Sequence, residues 1–178
     1  PRLSYRCQNL VSKMSRTFTP GLMIAPTTLV RYSETDQMSV VYHARYVEYF
    51  ELGRTEWMRE VGFPYAEVEQ LGVLFVVVEI DVRLRAPARY DDVLRIETRL
   101  AKLRPSSLIF SYRIVRERPG APTIAALGEA ASEAQELTTG QTRLACIGTE
   151  SRKVQPIPET FHDRLHALLP PSETSKRE

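Results

Sequence analysis

The sequence predicts an α+β domain in which one long helix packs against a curled antiparallel sheet. The first observation is an apolar stripe with helical spacing, in which aromatic and small residues recur every three or four positions between Tyr46 and Val61. The second is a series of β-rich segments after residue 72 in which apolar and charged residues alternate. Because the helix must bury its aromatic stripe, the concave face of the sheet is its expected partner.

The elements before the sheet follow from residue type and spacing. Residues 25–34 are rich in β-branched residues and predict a first strand. The long helix is expected from about Val41 and ends where Gly62 and Pro64 interrupt the helical pattern. Gly53 lies in the middle of the apolar face. A residue without a side chain there predicts close approach of helix and sheet, at a cost of roughly 1 kcal/mol in helix propensity.

A meander of about four long strands is expected after the helix. Residues 73–87 alternate in strand fashion, residues 92–103 and 107–118 predict a hairpin, and residues 142–148 supply the last strand. The alanine-rich stretch before that last strand suits a short helix as well as a strand. A final short helix is expected from near Thr160 to Pro170, with Phe161, Leu165 and Leu168 on one side. This order of elements is that of the hot dog fold, whose open sheet edge predicts a homodimer or homotetramer.

The domain boundaries are expected at changes of composition. Residues 1–24 form a basic leader, residues 25–170 a single hot dog domain, and residues 171–178 a polar tail. We interpret the leader as disordered or non-native, because the sequence from Met14 would make a natural start. The alternative is an organelle transit peptide, since no acidic residue precedes Glu34.

Composition excludes several classes of protein. The 178 residues carry a formal net charge of +2, which is too small by itself to argue for nucleic acid. The two cysteines, Cys7 and Cys146, are far apart, so neither a disulfide framework nor a zinc site is expected, and a cytoplasmic location is the simplest interpretation. No apolar run approaches the ~20 residues that cross a bilayer.

Two separated blocks of sequence resemble a known family. The stretch "RYSETDQMSVVYHARYVEYFELGRTEW", residues 31–57, and the stretch "LRAPARYDDVLRIETRL", residues 84–100, are similar to the signatures of the 4-hydroxybenzoyl-CoA thioesterase and YbgC-type acyl-CoA thioesterases. The resemblance extends over roughly residues 26–160 and implies the hot dog fold. It also implies hydrolysis of a thioester of CoA or of acyl carrier protein, without a metal or redox cofactor.

The resemblance also implies roles for particular residues. It places the catalytic carboxylate on Asp36 and the carbonyl-binding backbone N–H, at the start of the central helix, on His43. Such a site needs a carboxylate that attacks or activates water, together with donors that stabilise an oxyanion, and the first turn of a helix offers unpaired N–H groups. Asp36 is thus a nucleophile or a general base. Substrate-binding residues are expected at Ser39, Tyr42 and Tyr46.

Other interpretations of these residues stay open. Asp36 is also suited to a helix N-cap, and Glu48 on the helix is a second candidate carboxylate. The His43 side chain is a general acid, an orienting group or a bystander. Ser39 replaces the glycine usual in the family, which favours a catalytically silent acyl-CoA-binding module if the serine closes the site. An acyl dehydratase is disfavoured because its His-Phe-Pro-Gly-like motif is absent.

Several further features have structural explanations that compete with functional ones. Residues 90–92 predict a turn, and His162 and His166 have metal-like spacing without an evident third ligand. Residues 119–139 are longer than usual for the family and are expected to form an excursion near the pocket mouth. Scattered arginines suit either CoA phosphates or a solvated sheet face; they are Arg83, Arg85, Arg89, Arg116 and Arg118.

Overall fold

The protein is represented by a computed structural model that describes residues 20–118, 120 and 134–170. The leader before residue 20, the tail at 171–178 and residues 119 and 121–133 of the expected excursion lie outside the described residues, whereas residues 135–139 belong to the last strand and not to an excursion. The strands are β1 (Met23–Ile24), β2 (Thr27–Leu29), β3 (Val73–Leu84), β4 (Val93–Arg104), β5 (Ser107–Arg118) and β6 (Gln135–Gly148). The α-helices are α1 (Arg45–Glu60), α2 (Tyr65–Glu69) and α3 (Glu159–His166), and Tyr32–Glu34 form a 3-10 turn.

One antiparallel sheet contains all six strands in the order β1-β4-β5-β6-β3, with β2 also paired to β4. The predicted hairpin is confirmed, since β4 and β5 pair from Arg104 and Ser107 onward. The predicted four-strand meander is wrong for β3, which pairs with β6 at the far edge of the sheet. Alternating residues specify that a segment is a strand, whereas the choice of neighbour depends on the whole sheet.

The predicted first strand is only partly correct. Its residues fold as the short strand β2 followed by the 3-10 turn, while β1 begins earlier, at Met23. Pro26 separates β1 from β2 and has no N–H to donate, although its carbonyl accepts the N–H of Ile96 at 2.9 Å. The segment therefore covers the edge of β4 in two short pieces.

The core lies between α1 and the inner face of the sheet, chiefly over β4. The predicted stripe is confirmed as the buried face of the helix, and its residues are Tyr46, Phe50, Gly53, Trp57 and Val61. A Cβ atom on Gly53 would lie 2.2 Å from Oγ1 of Thr98 and 2.9 Å from Cγ2 of Ile96. Glycine therefore allows the close approach of helix and sheet that the sequence predicts.

The helix does not cover the inner face of the edge strand β3. Gly140 on β6 faces Phe50 of α1, and Val82 pairs with Gly140, so this register places Ile80, Val82 and Leu84 on the inner face of β3. Ile80 is 44% exposed and Leu84 is 51% exposed. Apolar side chains at this edge are therefore not covered by the described part of the chain.

Candidate active site

Asp36 lies in a short loop that its own backbone closes. Thr35 and Val41 form an isolated antiparallel bridge, and the Asp36 N–H donates to the Val40 carbonyl at 2.9 Å. The Asp36 carboxylate accepts the N–H of Met38 through Oδ1 at 2.8 Å, and no described residue bonds Oδ2. The side chain is half-buried and does not cap α1, whose N-cap residue is Ala44.

Ser39 completes the loop in a backbone conformation that favours glycine. Its φ is +59°, in the left-handed region, where a side chain is disfavoured and glycine is not. This conformation gives a physical reason for the glycine usual at the position. The serine side chain is exposed and is not among the groups that line the adjacent cleft.

The first turn of α1 follows this loop directly. Within the described part of the chain, the backbone N–H groups of His43 and Ala44 donate to no other group, whereas those of Arg45 and Tyr46 bond the carbonyls of Tyr42 and His43. Free N–H groups at a helix start carry partial positive charge and suit a developing oxyanion. The loop and the helix start therefore bring together a carboxylate and unpaired backbone N–H groups.

A cleft of about 270 Å³ opens between the Asp36 loop and the end of β3. One wall comes from the loop and the helix start, and the other comes from the segment that leaves β3. Its lining residues are Asp36, Met38, Val40, Val41, His43, Tyr46, Leu84, Arg85, Ala86 and Pro87. Most of these side chains are apolar, which is the usual character of a cleft that binds a small molecule.

The structure places the five residues singled out from the sequence in one region. Asp36, His43 and Tyr46 line the cleft, whereas Ser39 and Tyr42 lie beside it. The Tyr42 ring is 46% exposed and stands 4.2 Å from the His43 ring, measured between centroids. Tyr46 is buried, which raises the pKa of its hydroxyl, and that hydroxyl accepts the N–H of Ala88 at 3.1 Å.

Sequence reasoning missed the opposite wall of the cleft. Residues 84–87 belong to a family-like block, but only Arg85 among them has a candidate role from the sequence, in binding CoA phosphates, and a place in the cleft wall did not follow for any of the four. The block itself could have indicated this wall, because Ala86 and Pro87 interrupt the strand pattern just before the turn at residues 90–92. That turn is confirmed, with Asp91 at a φ of +67°.

A buried carboxylate, that of Glu34, ties the 3-10 turn that precedes Asp36 to the helix α1. Glu34 is 4% exposed and accepts hydrogen bonds from the Arg31 side chain at 2.9 Å and from the Tyr49 hydroxyl at 3.2 Å. Burial opposes ionisation of Glu34, but the hydrogen bonds from the Arg31 side chain and backbone outweigh it and hold the pKa below its usual value. Glu34 is therefore ionised and structural.

The other candidates lie elsewhere or are already paired. Glu48 is exposed and bonds Arg45 at 2.6 Å. The His162 and His166 rings are 6.4 Å apart, and among the described residues no three His, Cys, Asp or Glu side chains form a metal site. The described part of the chain also contains no helix with the length and apolarity that crossing a bilayer requires.

The predicted arginines differ in what they contact. Arg83 lies 3.8 Å from Asp81, Arg85 bonds Glu136 at 2.9 Å, and Arg116 forms an ion pair with Asp92 at 2.8 Å. Arg89 is exposed, and its guanidinium has no partner in the part of the chain that the structure describes. The side chain of Arg118 lies outside that part.

Comparison with known proteins decides the family. A sequence profile of the Thioesterase-like superfamily matches residues 30–165, which include both blocks and the whole cleft. The chain belongs to this superfamily. The resemblance seen in the sequence is thereby confirmed, and so is the hot dog fold.

Individual relatives agree with this membership. An 86-residue stretch is 44% identical to the acyl-CoA thioester hydrolase YbgC of Escherichia coli O157:H7 and covers 48% of this chain and 64% of that relative. The chain thus matches a little under two thirds of YbgC. A hypothetical protein of Thermus thermophilus superposes with a TM-score of 0.69 at 37% identity, over 83% of this chain and 98% of that one. The DHNA-CoA thioesterase of Staphylococcus aureus superposes with a TM-score of 0.67 at 28% identity, over 82% and 87%.

Proposed function

We propose that the protein hydrolyses thioesters of coenzyme A or of acyl carrier protein, giving a free acid and a thiol. The observation that carries this proposal is the placement of the Asp36 carboxylate beside the start of α1, in an apolar cleft. The naming of relatives as an acyl-CoA thioester hydrolase and as a DHNA-CoA thioesterase supports the same reaction class.

In the proposed reaction, the thioester carbonyl oxygen points at the N–H groups of His43 and Ala44. As a general base, Asp36 takes a proton from water, whose oxygen bonds to the carbonyl carbon. As a nucleophile, its carboxylate oxygen forms that bond itself, and water then cleaves the resulting anhydride. In both routes the carbon–sulfur bond breaks, the sulfur leaves as a thiolate that gains a proton, and the oxyanion is stabilised by the helix start.

We further propose that the protein self-associates through the edge of β3 that no described strand covers. The exposed inner-face residues Ile80 and Leu84 lie on this edge, and Leu84 also lines the cleft. A bare sheet edge with apolar side chains favours strand pairing with a second copy.

Among the described arginines, Arg89 supports CoA as the carrier of the acyl group. Its guanidinium pairs with no described residue, and it follows the cleft wall at residues 84–87.

The experiment is release of free thiol by the purified protein from short, medium, long and aromatic acyl-CoAs. We expect turnover of at least one thioester and a loss of about 10² to 10⁴ in kcat for Asp36→Asn, whose fold is checked by thermal unfolding. Glu48→Gln is the matched control because it neutralises the second candidate carboxylate, and it should retain activity. His43→Ala keeps the backbone N–H, so retained activity would show that position 43 stabilises the oxyanion through its backbone alone.

Three outcomes would contradict the proposal. A variant Asp36→Asn that is folded and fully active would show that Asp36 takes no part in the chemistry. Loss of activity in Glu48→Gln alone would show that Glu48 supplies the catalytic carboxylate. If wild type releases no thiol although an acyl-CoA raises its Tm, the protein is an acyl-CoA-binding module. The exposed side chain of Ser39, which does not line the cleft, argues against that alternative.

A further inference from the structure

An ion pair between the buried Asp92 and the half-buried Arg116 lies next to the cleft wall. Asp92 is 2% exposed, and its Oδ2 accepts hydrogen bonds from Nε of Arg116 and from the N–H of Arg89, both at 2.8 Å. Its Oδ1 accepts the N–H of Gly120 at 2.7 Å. Asp92 therefore closes the turn that follows the wall and fixes the guanidinium of Arg116.

The other end of Arg116 reaches the wall itself. Its Nη2 donates to the carbonyl of Pro87 at 2.5 Å, and its Nη1 donates to Gln135 at 2.9 Å. Pro87 lines the cleft. Because the guanidinium is planar and rigid, Asp92 at one edge sets the direction of the donor at the other.

Ala88, which follows Pro87, connects this wall to the Asp36 loop and to the start of α1. The Ala88 N–H donates to the Tyr46 hydroxyl at 3.1 Å, and the Ala88 carbonyl accepts the Val41 N–H at 2.8 Å. Val41 pairs with Thr35 and closes the loop that carries Asp36, while Tyr46 belongs to the first turn of α1. One residue of the wall thus holds the carboxylate loop and the helix start together.

We propose that Asp92 and Arg116 are positioning residues for the reaction, acting through Pro87 and Ala88 on the Asp36 loop. This inference rests on the proposed thioesterase function, but the hydrogen bonds that carry it exist independently of any reaction. A displacement of the loop on the order of 1 Å is enough to lower a rate about 10²-fold when the reacting groups must meet in one geometry.

A second buried carboxylate provides a matched control. Glu97 is 4% exposed in its side chain and accepts a hydrogen bond from Nε of Arg113 at 2.5 Å. It also pairs with Arg95, and it points to the outer face of the sheet, because its neighbours Ile96 and Thr98 face α1. Its charge environment resembles that of Asp92, whereas its hydrogen bonds do not reach the cleft.

The test compares Asp92→Asn with Glu97→Gln by residue-resolved amide hydrogen exchange and by thiol-release kinetics. We expect the protection of the Val41 amide to fall at least tenfold in Asp92→Asn and to stay unchanged in Glu97→Gln, although both variants lose thermal stability. We expect kcat to fall about 10- to 100-fold in Asp92→Asn alone, with KM within about threefold of the wild-type value. If Asp92→Asn does not fold, Arg116→Lys carries the test, because one ammonium does not span both Asp92 and the Pro87 carbonyl.

The two proposals fail in different ways. Absence of thiol release by wild type would overturn the proposed function, while the exchange of the Val41 amide would still report on the positioning contact. Unchanged protection of Val41 in Asp92→Asn, or an equal loss of kcat in Glu97→Gln, would overturn the positioning role and leave only a contribution to stability.

Discussion

Replacing Gly53 by alanine tests how closely α1 approaches the sheet. The added Cβ would lie 2.2 Å from Oγ1 of Thr98 and 2.9 Å from Cγ2 of Ile96, whereas non-bonded heavy atoms are optimally separated by about 3.5–4.0 Å. Relief therefore requires a retreat of the helix by roughly 1 Å, because both contacts are β-branched side chains near the backbone. Overpacking of this kind costs about 1–3 kcal/mol.

Helix propensity acts in the opposite direction. Alanine is favoured over glycine by about 1 kcal/mol inside a helix. Since the added Cβ would meet two atoms well inside van der Waals distance, we expect the clash to cost the upper part of that range, about 2–3 kcal/mol, and Gly53→Ala to lower the free energy of unfolding by about 1–2 kcal/mol after the gain in propensity. Urea unfolding of wild type and variant, followed by circular dichroism, measures this difference.

A double-mutant cycle identifies the contact responsible. Thr98→Ala removes the nearest atom, so Gly53→Ala should be less destabilising in that background by at least about 0.5 kcal/mol. Additive effects would show that Thr98 is not the obstacle. A Gly53→Ala variant as stable as wild type would refute the reasoning altogether, because propensity would then decide the outcome.

The remaining predictions concern pH and assembly. Burial opposes ionisation of Glu97, but Arg113 and Arg95 outweigh it and hold its pKa below the usual value, so its stabilising contribution is present at neutral pH and is lost as pH falls below about 4.5 towards the folded-state pKa. Glu97→Gln should flatten that part of a Tm-against-pH curve, and an unchanged curve would contradict the assignment. Light scattering should give wild type at least twice the 20.3 kDa chain mass, and Ile80→Lys should convert it to the monomer, whereas the control Val154→Lys should not. A monomeric wild type, or an Ile80→Lys variant that still associates, would exclude pairing through β3.

Local patterns were sufficient for much of the fold. The apolar stripe of α1 specified which face is buried, since side chains three and four apart lie on one side of a helix. The β4–β5 hairpin followed from alternation across a short turn, and Gly53 predicted a close approach of helix and sheet. The resemblance in two blocks also made Asp36 and His43 candidate catalytic residues, and the structure places both along one cleft.

Tertiary structure alone decided how distant segments meet. The position of β3 beside β6, and not beside β4, depends on hydrogen bonds between strands more than 50 residues apart in sequence, which no local pattern encodes. The same is true of the cleft wall at residues 84–87 and of the contacts from Ala88 to Val41 and Tyr46. Asp92 shows the difference most clearly: the local sequence predicted a turn, and only the folded chain gave the Asp92 carboxylate a half-buried arginine that also bonds the cleft wall. Sequence thus determined which chemical groups are available, because their types are local, whereas packing determined which of them touch.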